Sequence, residues 1–274
     1  MRRTTATGLV ISAATLLATI GGCAKYITPG GPADFRALGI TSGEAEAMTD
    51  KNIAARLARK PAANFPAGIA TVRVQAGGYR SHTWTNPESP GRYSVVTTRE
   101  VEGEETFERL TTLPMIRGIA PINRLVAPPS VNTEMDIRSI AADLQADIVL
   151  LYTFDTTFGS ETIIPALGTI TLGIFPAEEA RVTSTASAAL IDTRTGFVYG
   201  LAESTARTEQ LANAWTTGDA IDQSRRRAEK RAFEGLIGEL EKAWPRLVSA
   251  YGPGSAPPIV PLASMTDGTT EGAR

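Results

Sequence analysis

The sequence predicts an α+β fold, a mixed or antiparallel sheet with helices packed mainly on one face. Three observations predict it. Ala70, Val72 and Val74 alternate with Thr71, Arg73 and Gln75, the two-residue period of a strand with one apolar and one wet face. From Ile148 to Phe154 the chain is apolar apart from Thr153, as in a central strand covered on both faces. Two further strand patterns, RVTSTASAALID and FVYGLAEST, flank the turn DTRTG and run on towards a long amphipathic helix.

Residues 1–22 read as an export leader. MRRTT carries two arginines and no acid, and the 14 residues from Thr7 to Ile20 carry no charge, the n-region and h-region of a secretory signal. A transmembrane helix needs roughly 20 apolar residues, so the run is short for a permanent span. Ile20, Gly21 and Gly22 then precede Cys23, the only cysteine. An aliphatic residue three places before a cysteine, with two small ones between, resembles the bacterial lipobox. That resemblance implies a diacylglyceryl thioether on Cys23, cleavage at its amino side and further acylation of palmitate type. The alternative is a plain signal peptide with an incidental cysteine. Ala24 in place of Asp implies sorting to the outer membrane, facing the periplasm. Acyl chains contribute about 0.8 kcal/mol per buried CH₂ and stable anchoring takes more than one, so the membrane is the expected partner of Cys23.

Residues 23–43, rich in Gly and Pro, read as a flexible tether. From Glu44 to Lys60 acids come early and bases late, as in a helix, with Pro61 ending it. The first strand follows, then a polar loop around His82. A second strand is expected from Tyr93 to Val101, a short acidic helix from Gly103 to Thr112, and a strand in INRLVAPP closed by Pro128 and Pro129. Thr133 and Asp136 form a capping-box-like start for a helix with Ile137, Ile140, Ala141 and Leu144 on one face. In DTRTG, Asp192 opens the turn and Gly196 takes the positive φ, giving a bulged hairpin. Ser184, Ala186 and Ala188 are small enough for a helix to lie close on their strand. That helix is expected from about Asp219 to Trp244, stopped by Pro245. One domain over 44–250 and a disordered tail over 251–274 complete the organisation.

The block from the capped helix through ADIVLLYTF and the DTRTG hairpin to the final helix resembles the periplasmic domain superfamily of the curli secretion lipoprotein CsgG and the penicillin-binding-protein activator LpoB, with the TolB amino-terminal domain more distant. Asp192, Thr195, Gly196 and Val198 occupy its D-x-x-T-G-x-(I/V/F) turn. The resemblance implies a non-enzymatic role, because those proteins are channel subunits, activators or adaptors. It covers about 90 residues, Thr133 to Trp244 less the inserted segment 159–179, and its motifs are structural. The curli channel subunit carries two pore hairpins per chain. Here there is one insertion, residues 159–179, whose stretch from Ile163 to Pro176 is uncharged.

That insertion can be a hairpin folded over the sheet, an exposed apolar flap that meets a partner, or a pore segment. Ile170, Leu172 and Ile174 alternate with polar or small residues, but Pro165 and Pro176 leave barely the ~9 to 11 residues a membrane strand needs. Ile163, Ile164, Leu167, Ile170, Leu172, Ile174 and Phe175 are its candidate contact residues, since exposed apolar patches mark contact sites. Arg225, Arg226 and Arg227, with Lys230 and Arg231, make a basic patch on the last helix. It is either a solvated face or a dock for an acidic partner or anionic headgroups.

Catalytic chemistry finds little purchase. After the leader is removed 25 basic and 29 acidic residues remain, a formal charge of −4, which offers no basic face for nucleic acid. One histidine and an acylated cysteine cannot make a zinc set or a Cys-His pair, so no metal and no cofactor beyond the Cys23 lipid is expected. No G-x-S-x-G, P-loop or dinucleotide fingerprint occurs. The expectation is therefore a non-catalytic, outer-membrane-anchored adaptor for another envelope protein. Alternatives are a subunit of an oligomeric secretion complex, with homo-oligomerisation possible, and a hydrolase with an unrecognised site.

Overall fold

The computed structural model describes residues 31–33, 50–81, 91–128, 130–162, 178–212, 217–254 and 262–263. The leader, Cys23, His82 and residues 163–177 lie outside them. The order is α1 (Asp50–Leu57), β1 (Ala67–Ala76), β2 (Tyr93–Val96), α2 (Glu104–Thr111), β3 (Ile116–Pro121), β4 (Ser130–Val131), α3 (Glu134–Asp143), β5 (Ile148–Thr162), β6 (Glu178–Asp192), β7 (Val198–Ala212), α4 (Thr217–Tyr251) and β8 (Leu262–Ala263). The fold is α+β, as expected. The strands form one mixed sheet in the order β4-β2-β1-β5-β6-β7-β8, with β3 also on β1. β5, β6 and β7 are antiparallel neighbours, whereas β1 runs parallel to β3 and β5.

Two apolar layers explain the arrangement. On one face Phe107 and Leu110 of α2 and Phe233, Leu236, Ile237 and Leu240 of α4 pack on Ile69, Leu150, Tyr152, Phe154 and Ala186. On the other, Ile137, Ile140 and Ala141 of α3 cover Ala70, Val72, Val149 and Leu151. α3 starts at the expected cap. The Thr133 hydroxyl accepts from the Asp136 amide at 3.3 Å, and the Asp136 carboxylate accepts from the Thr133 amide at 2.9 Å. Ser184, Ala186 and Ala188 are all buried, and on the helix side Gly235 has no Cβ, leaving room for the Ser204 side chain.

The structure corrects several expectations. The side of β1 expected to be wet is not: Thr71, Arg73 and Gln75 are buried, with α4 lying over Arg73. β2 ends at Val96 rather than Val101. INRLVAPP is a turn, and the strand is its predecessor, Ile116–Pro121. Asn123 is the reason. Its side-chain oxygen accepts from Leu125 N, and its carbonyl accepts from Val126 N and Ala127 N, so local bonds win over a ladder. α4 does not stop at Pro245 but continues to Tyr251. A helix-interior proline costs about 3 kcal/mol. Past it, Leu247 is buried and Tyr251 meets Phe197 and Tyr199, extending the apolar contact that holds the last turns in place. The tail is not wholly without structure, because Leu262–Ala263 pairs with β7 at Gly200 and Leu201.

The expected tether is shortened from its far end. Pro32 forms an antiparallel bridge with Gln75, and Gly31 O accepts from Ala76 N at 3.1 Å and from the Gln75 amide nitrogen at 3.3 Å. Ala33 is buried and its N–H donates to Thr153 Oγ1 at 2.9 Å. Residues 31–33 thus belong to the domain.

Candidate functional site

The long helix runs along β6 and β7, giving the domain two ends: the turn end at DTRTG between β6 and β7, and the opposite, hairpin end, where β5 leads towards β6. At the hairpin end the Thr208 hydroxyl donates to Ser224 O. At the turn end Tyr251 packs on Tyr199 beside DTRTG.

The turn residues behave as their sequence implied. Gly196 has φ +69°, the left-handed region in which a Cβ is strained, and the β6–β7 register shifts by one residue at Leu190/Ile191. The buried Asp192 carboxylate collects four donors: Arg194 N at 2.8 Å, Thr195 N at 2.9 Å, Ala62 N at 2.6 Å and the Tyr199 hydroxyl at 2.6 Å. Thr195 Oγ1 accepts from Phe197 N. Burial, with the Asp192 hydrogen bond, pushes the Tyr199 phenol up from its ordinary value, which keeps it a donor. Arg138 of α3 donates to Thr193 O and Arg194 O, while Arg59 donates to Gly196 O, so the turn is clasped from two sides. Beside it the buried Asp147 accepts from Gly68 N and pairs with Arg194 and Arg117. These carboxylates position backbone; an acid holding four donors has no free lone pair for proton transfer.

The basic patch divides. Arg225 is not on the surface at all but has 0 % exposure, which removes it from the candidate contact set. Its guanidinium meets Glu229 at 2.9 Å, Glu100 at 2.8 Å and Asp222 at 3.0 Å. Glu229 also faces Arg73 at 3.6 Å and the Thr156 hydroxyl at 3.2 Å, and Arg73 reaches Glu102 at 3.5 Å and the Tyr79 hydroxyl at 3.0 Å. Arg73 further lies over the Phe154 ring, 4.5 Å from its centroid. Burial raises the Glu229 carboxyl above its ordinary value, although Arg73 and Arg225 draw it down. Burial opposes charge on Arg73 too, but Tyr79, Glu102 and Glu229 hold its pKa above the ordinary arginine value. The network ties β1, β5, the segment carrying Glu100 and Glu102, and α4 into one unit.

Arg226 and Arg227 remain exposed, Arg226 paired with Asp222. Arg227 and Arg231 line an open groove of about 300 Å³ with Arg207 and Thr208. The enclosed void between Ile69, Leu150, Leu240 and Trp244 is about 10 Å³, too small for a substrate. Among the described residues no group of three His, Cys, Asp or Glu side chains could hold a metal, and no helix is long and apolar enough to cross a membrane. Candidate contacts Ile163, Ile164, Leu167, Ile170, Leu172, Ile174 and Phe175, like Cys23, lie outside the described residues.

Sequence reasoning missed the buried network, though part of it is visible as spacing. Asp222, Arg225 and Glu229 stand three and four residues apart, placing both acids beside one arginine on a helix. Arg73, the one charged residue of β1, was the second signal. Neither a protein-family model nor a curated protein matches the chain.

Proposed function

We propose that this chain is a non-catalytic lipoprotein, anchored through Cys23 at the periplasmic side of the outer membrane, that serves as an adaptor for another envelope protein. The observation that carries the reading is the charged, then apolar leader ending in Ile20-Gly21-Gly22-Cys23. The interior chemistry is consistent with it. The buried acids Asp192, Asp147 and Glu229 hold backbone amides or arginines. Arg226, Arg227 and the apolar insertion are the proposed contacts. Mass spectrometry of the mature protein tests the anchor: an acylated Cys23 at the amino terminus is expected, and an uncut leader or an unmodified start elsewhere overturns it. Ile170→Asp with Leu172→Asp, or Arg227→Glu, should abolish crosslinked capture of the partner with the fold intact; capture unchanged in both refutes those contacts.

A second reading is a subunit of an oligomeric assembly, which the resemblance to the curli channel subunit suggests. A ring in detergent extract supports this reading, and a monomeric mass refutes it.

A further inference from the structure

We infer that the groove between β7 and α4 is a binding site for a phosphate group, held by the guanidinium forks of Arg207, Arg227 and Arg231. The inference goes beyond the adaptor reading and does not need it, because anion binding belongs to the folded domain whether or not Cys23 is acylated.

The groove lies where strand and helix are pinned together. Thr208 is buried and its hydroxyl donates to Ser224 O at 2.7 Å, which fixes β7 against the first part of α4. Arg227 and Arg231 follow on the helix, both exposed and one turn apart, so their stems leave the same side of α4. Arg207 precedes Thr208 on β7 and is exposed. Successive strand side chains point to opposite faces, so Arg207 lines the groove from the other side of the strand. The space is about 300 Å³, and among the described residues no acid lines it.

Charge placement separates these arginines from their neighbours on the helix. Arg225 takes Asp222 and Glu229, Arg226 takes Asp222 and Lys230 takes Glu234, each one turn away. Four residues on either side of Arg227 stand Gln223 and Arg231 instead. Like charges at that spacing destabilise a helix. Asp222 and Glu229, which could offset them, are buried in the ion-pair network. A solvated helix face alternates its signs, whereas here one sign gathers around a hollow.

The ligand follows from the donors. All three basic residues lining the groove are arginine and none is lysine. A guanidinium presents five N–H donors in a rigid plane, so one existing partner leaves donors over. Its fork matches the oxygens of phosphate and carboxylate. A carboxylate has two oxygens, which two forks saturate. A phosphomonoester has three acceptor oxygens and nearly two negative charges, enough for three forks. A lipid headgroup and a small soluble phosphate compound present that same group.

The test uses the full chain in dodecyl maltoside, titrated by calorimetry with inorganic phosphate, with dihexanoyl phosphatidic acid and with a hexaglutamate peptide. Saturable one-site binding of phosphate is expected. Phosphatidic acid bound about tenfold tighter assigns the group to a lipid, and equal binding assigns it to a soluble compound; either supports the site. Arg227→Gln and Arg231→Gln should each weaken binding about fivefold, with thermal unfolding showing that each variant is folded. Lys242→Gln, on the same helix but paired with Glu239 outside the groove, should change nothing. Arg227→Lys with Arg231→Lys keeps the charge but loses two forks, and should also weaken phosphate at least about fivefold. No saturable binding, hexaglutamate bound tighter than phosphate, or full binding by the double-lysine variant overturns the site. Lost partner capture with phosphate binding intact removes the adaptor contact alone.

Discussion

Arg225→Met gives the sharpest test of where the basic helix ends and the core begins. The methionine keeps most of the aliphatic stem but removes contacts with Glu229, Glu100 and Asp222 at 2.8–3.0 Å. Asp222 and Glu229 stay buried, and among the described residues Glu229 is left with Arg73, at 3.6 Å, as its cation. Removing one partner of a buried ion pair costs about 3–5 kcal/mol, because the other charge stays desolvated. For a domain of this size 1 kcal/mol moves Tm by about 2–4 °C, so a fall of roughly 6–20 °C is expected. The assay is thermal and urea unfolding of the purified protein, with Arg231→Met, on the exposed side of the same helix, as a control expected within about 0.5 kcal/mol. Adding Glu229→Gln to Arg225→Met should recover part of the loss, since it neutralises a stranded carboxylate. A Tm change for Arg225→Met below about 2 °C would refute the buried-network account and return Arg225 to the surface patch.

Three further outcomes follow from the same structure. Gly196→Ala must hold a Cβ at φ +69° and should lose about 1–2 kcal/mol in urea unfolding; an unchanged midpoint would show that the turn relaxes freely. Gly235→Ala brings a Cβ against the Ser204 side chain and should cost about 1–3 kcal/mol despite better helix propensity, with Ser204→Gly restoring most of it. Glu229 has a folded-state pKa raised by burial above 4.5. The folded protein therefore binds that proton more tightly than the unfolded one, and the Glu229 contribution to stability grows as pH falls through the folded value, becoming complete below 4.5. Glu229→Gln should flatten the stability curve between neutral pH and 4.5, and an unaltered slope would contradict the sign.

Much of the architecture was legible because it is written locally. The capping box at Thr133, the apolar run from Ile148 to Phe154 and the Asp192–Gly196 turn each depend on residues a few positions apart, and the structure contains all three. The errors lie where distant residues decide. Thr71 and Arg73 look like a wet strand face until α4, some 150 residues later, brings Glu229 to Arg73. Pro245 reads as a stop because its backbone cost is local, whereas the contacts of Leu247 and Tyr251 that offset it are tertiary. INRLVAPP failed for the opposite reason, since its strand-like composition concealed the short-range bonds of Asn123. Gln75, whose side chain replaces a peptide partner, has no sequence signature.

That substitution also settles how a pull on the amino terminus would travel. Tension arriving at Gly31 is met by bonds shared between the Ala76 amide and the Gln75 side chain, and passes to the middle strands through the Gln75 bonds with Phe154. Bonds loaded side by side resist shear together, where those at a frayed end would open one after another. α1, which buries none of its residues, is bypassed by that route and carries none of the strain.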